Sequence, residues 1–204
     1  MRLTLVILLA LIGVRPAMAI EEPGHEVIRE ADGFELRRYP GYCVAETEVT
    51  GSQADAGNAG FRIIAKYIFG GNESRQSIAM TAPVVQAQSE TIAMTAPVMQ
   101  QPSKTAGNFI VQFTMPSTYT LATLPKPNDA RVRLREVPDR VVAVRSYSGG
   151  WSLTRYEQEL AALREAMQRD GLGAVGEPQW ARYNSPFSLP FMRRNEIWIE
   201  VAPH

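Results

Sequence analysis

Cysteine and histidine are almost missing from this 204-residue chain, which has one Cys and two His. A lone thiol, Cys43, makes no internal disulfide and excludes every multi-cysteine metal site. The two imidazoles, His25 and His204, lie near opposite ends. An excess of either charge is missing too. Twenty-one basic residues face twenty-one acidic ones, so there is no electrostatic footprint for nucleic acid. No apolar run is long enough to span a membrane. Leu3 to Val14 covers twelve residues, too few for a helix across a ~30 Å hydrocarbon core. What remains is an ordinary globular balance, 45% hydrophobic and 21% charged, which excludes a disordered tail, a collagen-like repeat or a disulfide miniprotein.

The N-terminus reads as a targeting segment. Arg2 supplies a short positive region, Leu3 to Val14 the apolar stretch, and Ala17-Met18-Ala19 a small-x-small cleavage pattern. Residues 1–19 are therefore expected to be a signal peptide, with Arg15 the one feature that favours an uncleaved anchor instead. Export, to a periplasm or outside the cell, is the expected localisation, with no stable membrane insertion after cleavage. Residues 20–204 are expected to form a single domain, large enough to bury ~70% of its unfolded surface.

Two internal similarities organise that domain. The heptapeptide Ile78–Val84 recurs letter for letter as Ile92–Val98. More informative, Glu35–Gly51 aligns with Arg133–Gly149 at a constant offset. Leu36, Arg37, Pro40, Val44, Ala45 and Gly51 fall on Leu134, Arg135, Pro138, Val142, Ala143 and Gly149. Each segment reads as strand, proline turn, strand, then glycine before a helix. The first helix is expected from an N-cap at Ser52 to about Phe69. The second starts at a Thr154/Glu157 capping box, carries a Tyr156, Leu160, Leu163, Met167 stripe and ends at Gly171. Strands are expected at Ile78–Val85, Thr91–Met99, Phe109–Met115, Gln179–Asn184 and Glu196–Val201. The fold class is α+β, mainly antiparallel: two β-β-α-β-β halves, about 20–116 and 131–204, joined by a Pro- and Thr-rich loop at 117–130.

The first helix offers more apolar surface than packing on a sheet needs. On a helical wheel Phe61, Ile64, Ala65 and Ile68 share the expected core face, and Arg62 and Lys66 stand opposite. Ile63, Tyr67 and Phe69 lie between. Such a helix either sits under a second layer or presents a surface to a ligand. Flat apolar surface bordered by two cations suits a planar amphiphilic anion, such as a tetrapyrrole with two propionates. Exposed charge pairs give only ~0.2–1 kcal/mol each. Micromolar binding needs ~8 kcal/mol, so apolar contact at ~25 cal/mol per Å² would supply most of it.

Three blocks in order resemble the SOUL haem-binding protein family: Phe61–Val84, Leu124–Glu136 and Tyr183–Glu200, the last containing Arg193-Arg194-Asn195-Glu196. The resemblance implies a distorted antiparallel β-barrel of two pseudo-symmetric halves with two flanking helices. It also implies non-covalent haem or tetrapyrrole binding in a shallow apolar groove beside the first helix. Arg62, Ile63, Lys66, Tyr67 and Phe69 are the contacts it implies on this chain. Arg193 and Arg194 would add a cation or, preferably, hold the last strand. Covalent c-type attachment is excluded for want of C-x-x-C-H.

An axial iron ligand is harder to find, because no histidine lies between Glu26 and Pro203. His25, Met80 and Met94 are weak candidates, with an exposed strand residue (His25) and core packing (the methionines) as the plainer roles. Tyr67 as a phenolate and Cys43 as a thiolate are weaker still. Two other functions stay open. One is a small-molecule hydrolase or effector-binding module on the same paired-half barrel, with Glu46 or Glu48 as a conceivable base. The other is an envelope interaction protein without a ligand. Against an enzyme, no nucleophile, base and orienting acid form a set, and no metal-ligand spacing such as H-E-x-x-H appears.

Overall fold

The structure is a computed structural model that describes residues 20–75, 88–185 and 187–202. The signal-peptide segment 1–19, the first copy of the repeated heptapeptide with Met80, the expected strand Ile78–Val85, and His204 lie outside the described residues.

The chain opens with β1 (Glu26–Ala31), β2 (Phe34–Tyr39) and β3 (Tyr42–Thr50), followed by α1 (Gln53–Ile68) and a two-residue β4 (Asn72–Glu73). Strands β5 (Val98–Pro102) and β6 (Asn108–Thr114) complete the first half. The connecting stretch contains β7 (Lys126–Pro127), which pairs with β4. The second half has β8 (Arg133–Val137), β9 (Arg140–Ser148), α2 (Leu153–Arg169), β10 (Ala174–Arg182) and β11 (Arg194–Val201). A short 3₁₀ turn at Pro190–Met192 precedes β11.

Nine strands form one antiparallel sheet in the order β1-β2-β9-β11-β10-β5-β6-β3-β8. Counted inward from β2 and from β8, corresponding strands meet at each step: β2 with β8, β9 with β3, β11 with β6, β10 with β5. The halves also exchange partners, since β2 pairs with β9 and β8 with β3. In the middle of the sheet they meet where Trp180–Arg182 of β10 pairs with Val98–Gln100 of β5. The expected closed barrel is not found. Among the described residues β1 and β8 remain two unpaired edges, and β1 covers the side of β2 that a closing partner would need.

Both helices start where glycine allows the chain to leave a strand. Gly51 and Gly149 follow β3 and β9 at φ 145° and 125°, a region where a Cβ is strained. Ser52 then caps α1, its Oγ accepting from the Asp55 amide at 3.2 Å. The second cap is Ser152 rather than the expected Thr154; its Oγ accepts from the Arg155 amide at 3.0 Å. The α2 stripe is as expected, with Tyr156, Leu160, Leu163 and Met167 all buried.

Helix α1 is rotated from its expected setting. Its buried residues are Ala56, Gly57, Gly60, Ile64, Tyr67 and Ile68, while Phe61 moves to the edge of the core. The glycines are the cause. A Cβ on Gly60 would lie 2.4 Å from Val111 Cβ, so the backbone itself seats on β6. A wheel that weighs only large side chains misses a contact surface made of absent ones.

The sheet is apolar on both faces. One core cluster lies under α2, around Trp180, Ile197 and Ile199, and another under α1, around Val111, Phe113 and Tyr67. On the other face, as strand alternation requires, Tyr39, Met99, Val142, Val144, Ala181 and Trp198 form a third. Glu196 is buried beside that third cluster. Its carboxylate accepts from Tyr183 Oη at 2.6 Å, Trp198 Nε1 at 2.7 Å and Ser146 Oγ at 3.1 Å, and pairs with Arg37 at 3.3 Å. Every donor points at one acid, which makes its burial tolerable. No helix among the described residues is long and apolar enough to cross a membrane.

Two substitutions check this packing by urea unfolding. Gly60→Ala lowers stability by about 1–3 kcal/mol despite the gain of up to about 1 kcal/mol that alanine brings to a helix. Glu196→Ala lowers it by about 3–5 kcal/mol, because it leaves Arg37 buried without its partner.

Candidate functional site

The two helices cover different halves of the sheet, and a gap opens between them over the β5–β10 seam. Gly57, Asn58 and Phe61 of α1 form one wall of a cavity of about 460 Å³. Val98 on β5, with Thr95 and Ala96 before it, lies beneath. Trp151, Arg182 and the segment after β10 form the far side. Ile20, Met94 and Phe187 also line it, and Phe187 is 95% exposed. The size falls within the ~300–1,000 Å³ range of small-molecule sites, and the lining is mostly apolar.

One charged group sits in this apolar wall. Arg182 is only 7% exposed and has no carboxylate within ion-pair distance among the described residues. Its Nη2 donates to Gln100 Oε1 at 2.9 Å, and its guanidinium lies 5.2 Å from the Trp151 ring centre and 5.1 Å from that of Trp180. Gln100 in turn donates to the carbonyl of Gln53 at the start of α1. Burial pulls the Arg182 pKa down to about 10, which leaves it charged at neutral pH. Gly57 makes the room: a Cβ there would fall 1.5 Å from Arg182 Nη2.

The residues expected to contact a ligand fall into two groups. Arg62 and Lys66 are exposed, one helical turn apart, and make no ion pair among the described residues. Arg62 stands about 40° around the helix from the groove residue Asn58. Phe69, at the end of α1, is 60% exposed. Tyr67 and Ile63 turn the other way. Tyr67 is 1% exposed and donates from Oη to the Pro125 carbonyl at 2.9 Å, while Ile63 packs against the same cluster. The 117–130 stretch, expected to be a surface loop, is the layer over this side of α1, with Leu124 fully buried. Burial raises the Tyr67 pKa above the ordinary phenol range, which disfavours a phenolate ligand.

Of the iron-ligand candidates among the described residues, Met94 lines the groove and is 37% exposed. His25 is exposed and lies against Tyr39 at 5.1 Å between ring centres. Cys43 lies in a separate cavity, and burial, with Glu136 nearby, raises its thiol pKa. Among the described residues no three His, Cys, Asp or Glu side chains come together as a metal site. The carboxylates considered as bases are engaged in the sheet: Glu46 accepts from Gln112 and Arg135, Glu48 from Ser103 and Asn108.

The Arg193–Glu196 motif frames the groove from behind. Arg193 donates to the Ser188 carbonyl and lies 4.6 Å from the centre of the Trp151 ring; Asn195 donates to the Gly149 carbonyl; Glu196 binds Tyr183. These contacts tie the 183–193 segment and the start of α2 to β11. Residues 20–200 match the family described as SOUL heme-binding protein.

The chain belongs to the SOUL haem-binding protein family.

Human "Heme-binding protein 2" is 28% identical over 189 residues, covering 90% of this chain and 87% of its own. "Heme-binding protein 1" of Xenopus tropicalis is 29% identical over 178 residues, covering 83% and 85%. Among solved structures, the EcmrR C-terminal domain superposes with a TM-score of 0.56 at 12% identity, covering 82% of this chain and 95% of that one. A hydrolase from Listeria innocua gives 0.52 at 12% identity, covering 82% and 91%. At that identity these two share the fold alone. The SOUL family is in general one of binding proteins rather than enzymes.

Tyr67 provides a clean check on which side of α1 faces a ligand. Tyr67→Phe removes one buried hydrogen bond and costs about 1 kcal/mol of unfolding free energy. Ligand affinity, measured by titration, stays at the wild-type value.

Proposed function

We propose that this chain is an exported, non-enzymatic binding protein for haem or a related tetrapyrrole, which it buffers, carries or scavenges. The observation that carries the reading is the apolar groove between α1 and the 183–187 segment, with a buried cation in its wall and exposed cations beside it. Family membership and the heme-binding names of its relatives support the ligand class.

Affinity would come mainly from apolar contact. Micromolar binding requires about 8 kcal/mol, which at ~25 cal/mol per Å² means burying at least roughly 320 Å². A flat macrocycle between Phe61 and Phe187 fits that need. Arg62 and Lys66 would act at the rim on propionates, and Phe69 would extend the apolar face of α1. Ile63 and Tyr67 would act from beneath, by fixing the helix. Met94 would be the nearest side chain able to offer iron a soft donor. Export rests on the Arg2, Leu3–Val14 and Ala17-Met18-Ala19 pattern. The mirrored strand order supports reading the two halves as a duplication that curls toward a barrel.

Ferric haem titrated into the 20–204 chain is expected to give a saturable Soret shift. Asn58→Trp, which fills the groove from an exposed helix position, weakens binding more than tenfold, by about 1.4 kcal/mol or more. Arg62→Glu with Lys66→Glu weakens it a few-fold, in line with ~0.2–1 kcal/mol for each exposed charge. An unshifted Soret band in the wild-type chain would sink the reading.

A further inference from the structure

Arg182 presents a problem that the fold does not solve. A buried guanidinium is normally paired with a carboxylate, because desolvating a lone charge is expensive. Buried acids exist nearby in the sequence, yet Glu196 is engaged with Arg37, Tyr183 and Trp198, and Glu159 with Arg145 and Arg155. Among the described residues Arg182 has one hydrogen bond, to Gln100, and two aromatic faces. A guanidinium carries five N–H donors, so most of its capacity is unspent.

The surroundings are short of acceptors as well. Trp151 lines the same cavity, and its Nε1 is buried with no hydrogen-bond partner among the described residues. A cation without a counter-charge thus borders the apolar groove, and the tryptophan beside it, which lines the same groove, has a buried indole N–H without an acceptor among the described residues. Both needs are met by a single group: an oxyanion brought in by the ligand. Gly57 supports the same conclusion. It is the position on α1 where any side chain would occupy the place of the guanidinium.

We propose that Arg182, with the Trp151 indole N–H beside it, is the inner anion anchor of the groove, and that the groove selects ligands bearing a carboxylate on an otherwise apolar body. This rests on the groove being the ligand site. It assigns an orientation: one carboxylate of the ligand points inward to Arg182, while any second one remains outside, near Arg62. Cation–π contact with Trp151 and Trp180 holds the guanidinium in place before the ligand arrives, so little ordering is needed on binding.

The test compares protoporphyrin IX, a dicarboxylate, with its dimethyl ester, which has the same macrocycle and no free carboxylate. Binding is followed by quenching of tryptophan fluorescence. The wild-type chain is expected to prefer the diacid by about tenfold or more, the size of one charge-assisted hydrogen-bonded pair. Arg182→Gln loses that preference through weaker diacid binding, and its affinity for the ester is unchanged. Gly57→Ala is the second variant. Alanine suits a helix, and its methyl meets only the side-chain ends of Arg182 and Gln100, with no backbone in the way, so the chain folds with the anchor moved. It shows the same loss of preference, and decides the matter if Arg182→Gln fails to fold. A diacid preference that survives in either folded variant overturns the anchor while leaving the groove intact. Failure of the wild-type chain to bind either porphyrin overturns the groove and the anchor together.

Discussion

The closeness of α1 to the sheet sets the shape of everything around it. Gly57 and Gly60 are consecutive on the buried stripe, and neither has a side chain to hold the helix away. At Gly60 the backbone rests on Val111. At Gly57 the space is taken by the end of Arg182, which arrives from the other half of the molecule. A larger residue at Gly60 would lift the helix off Val111, and one at Gly57 would displace the end of Arg182. The same contact therefore governs packing, the direction in which Phe61 and Tyr67 point, and the place of the cation in the groove wall.

The groove is also a consequence of joining two similar halves. Each helix covers its own side of the sheet, and the two sides meet at the short β5–β10 pairing. Over that seam neither helix provides full cover, so an apolar opening remains where the chain segments 94–98 and 182–187 meet. The Arg193–Glu196 motif stabilises the far side of the opening. Its acid, buried under four donors, anchors Tyr183, and its first arginine holds the exposed segment that carries Phe187. A motif with two arginines looks like a ligand-binding feature, yet in this fold most of its hydrogen bonds are internal. Stability and site construction are here the same set of contacts.

Arg182 gives the opposite case. It is an ordinary-looking residue in the sequence, at the end of a strand, with no motif around it. Its character comes from what does not reach it: among the described residues no carboxylate comes within ion-pair distance, since the buried acid of the neighbouring strand, Glu196, is engaged by Arg37 and Tyr183, and two indole rings flank the guanidinium instead. A fold tolerates such a group when the missing partner arrives with a ligand, because the desolvation cost is then offset in the bound state. The ordinary reading of Arg62 and Lys66, solvated cations on a helix surface, fits a supporting role at the rim.

Local pattern was enough to place the two helices, the glycines that start them, the α2 stripe, the α+β class and the pairing of similar segments across the chain, because each depends on residues close in sequence or repeated along it. Ser52 and Gly51 are readable in this way; Ser152 was obscured by the equally good Thr154/Glu157 pattern two residues on. The rotation of α1 was not readable, since it is fixed by the missing Cβ atoms of Gly57 and Gly60 meeting Val111 and Arg182, residues about fifty and more than a hundred positions away. Nor was the burial of Tyr67, which requires the 117–130 stretch to fold back over it. The sequence by itself determined the two helices, most of the strands and the family; the strand expected at Thr91–Met99 begins only at Val98, because Thr91 and Thr95 make isolated bridges instead. Only the tertiary structure decided which face of α1 borders the groove and that Arg182 lies there with no carboxylate partner among the described residues, because burial and the absence of a counter-charge are properties of neighbours brought together by folding.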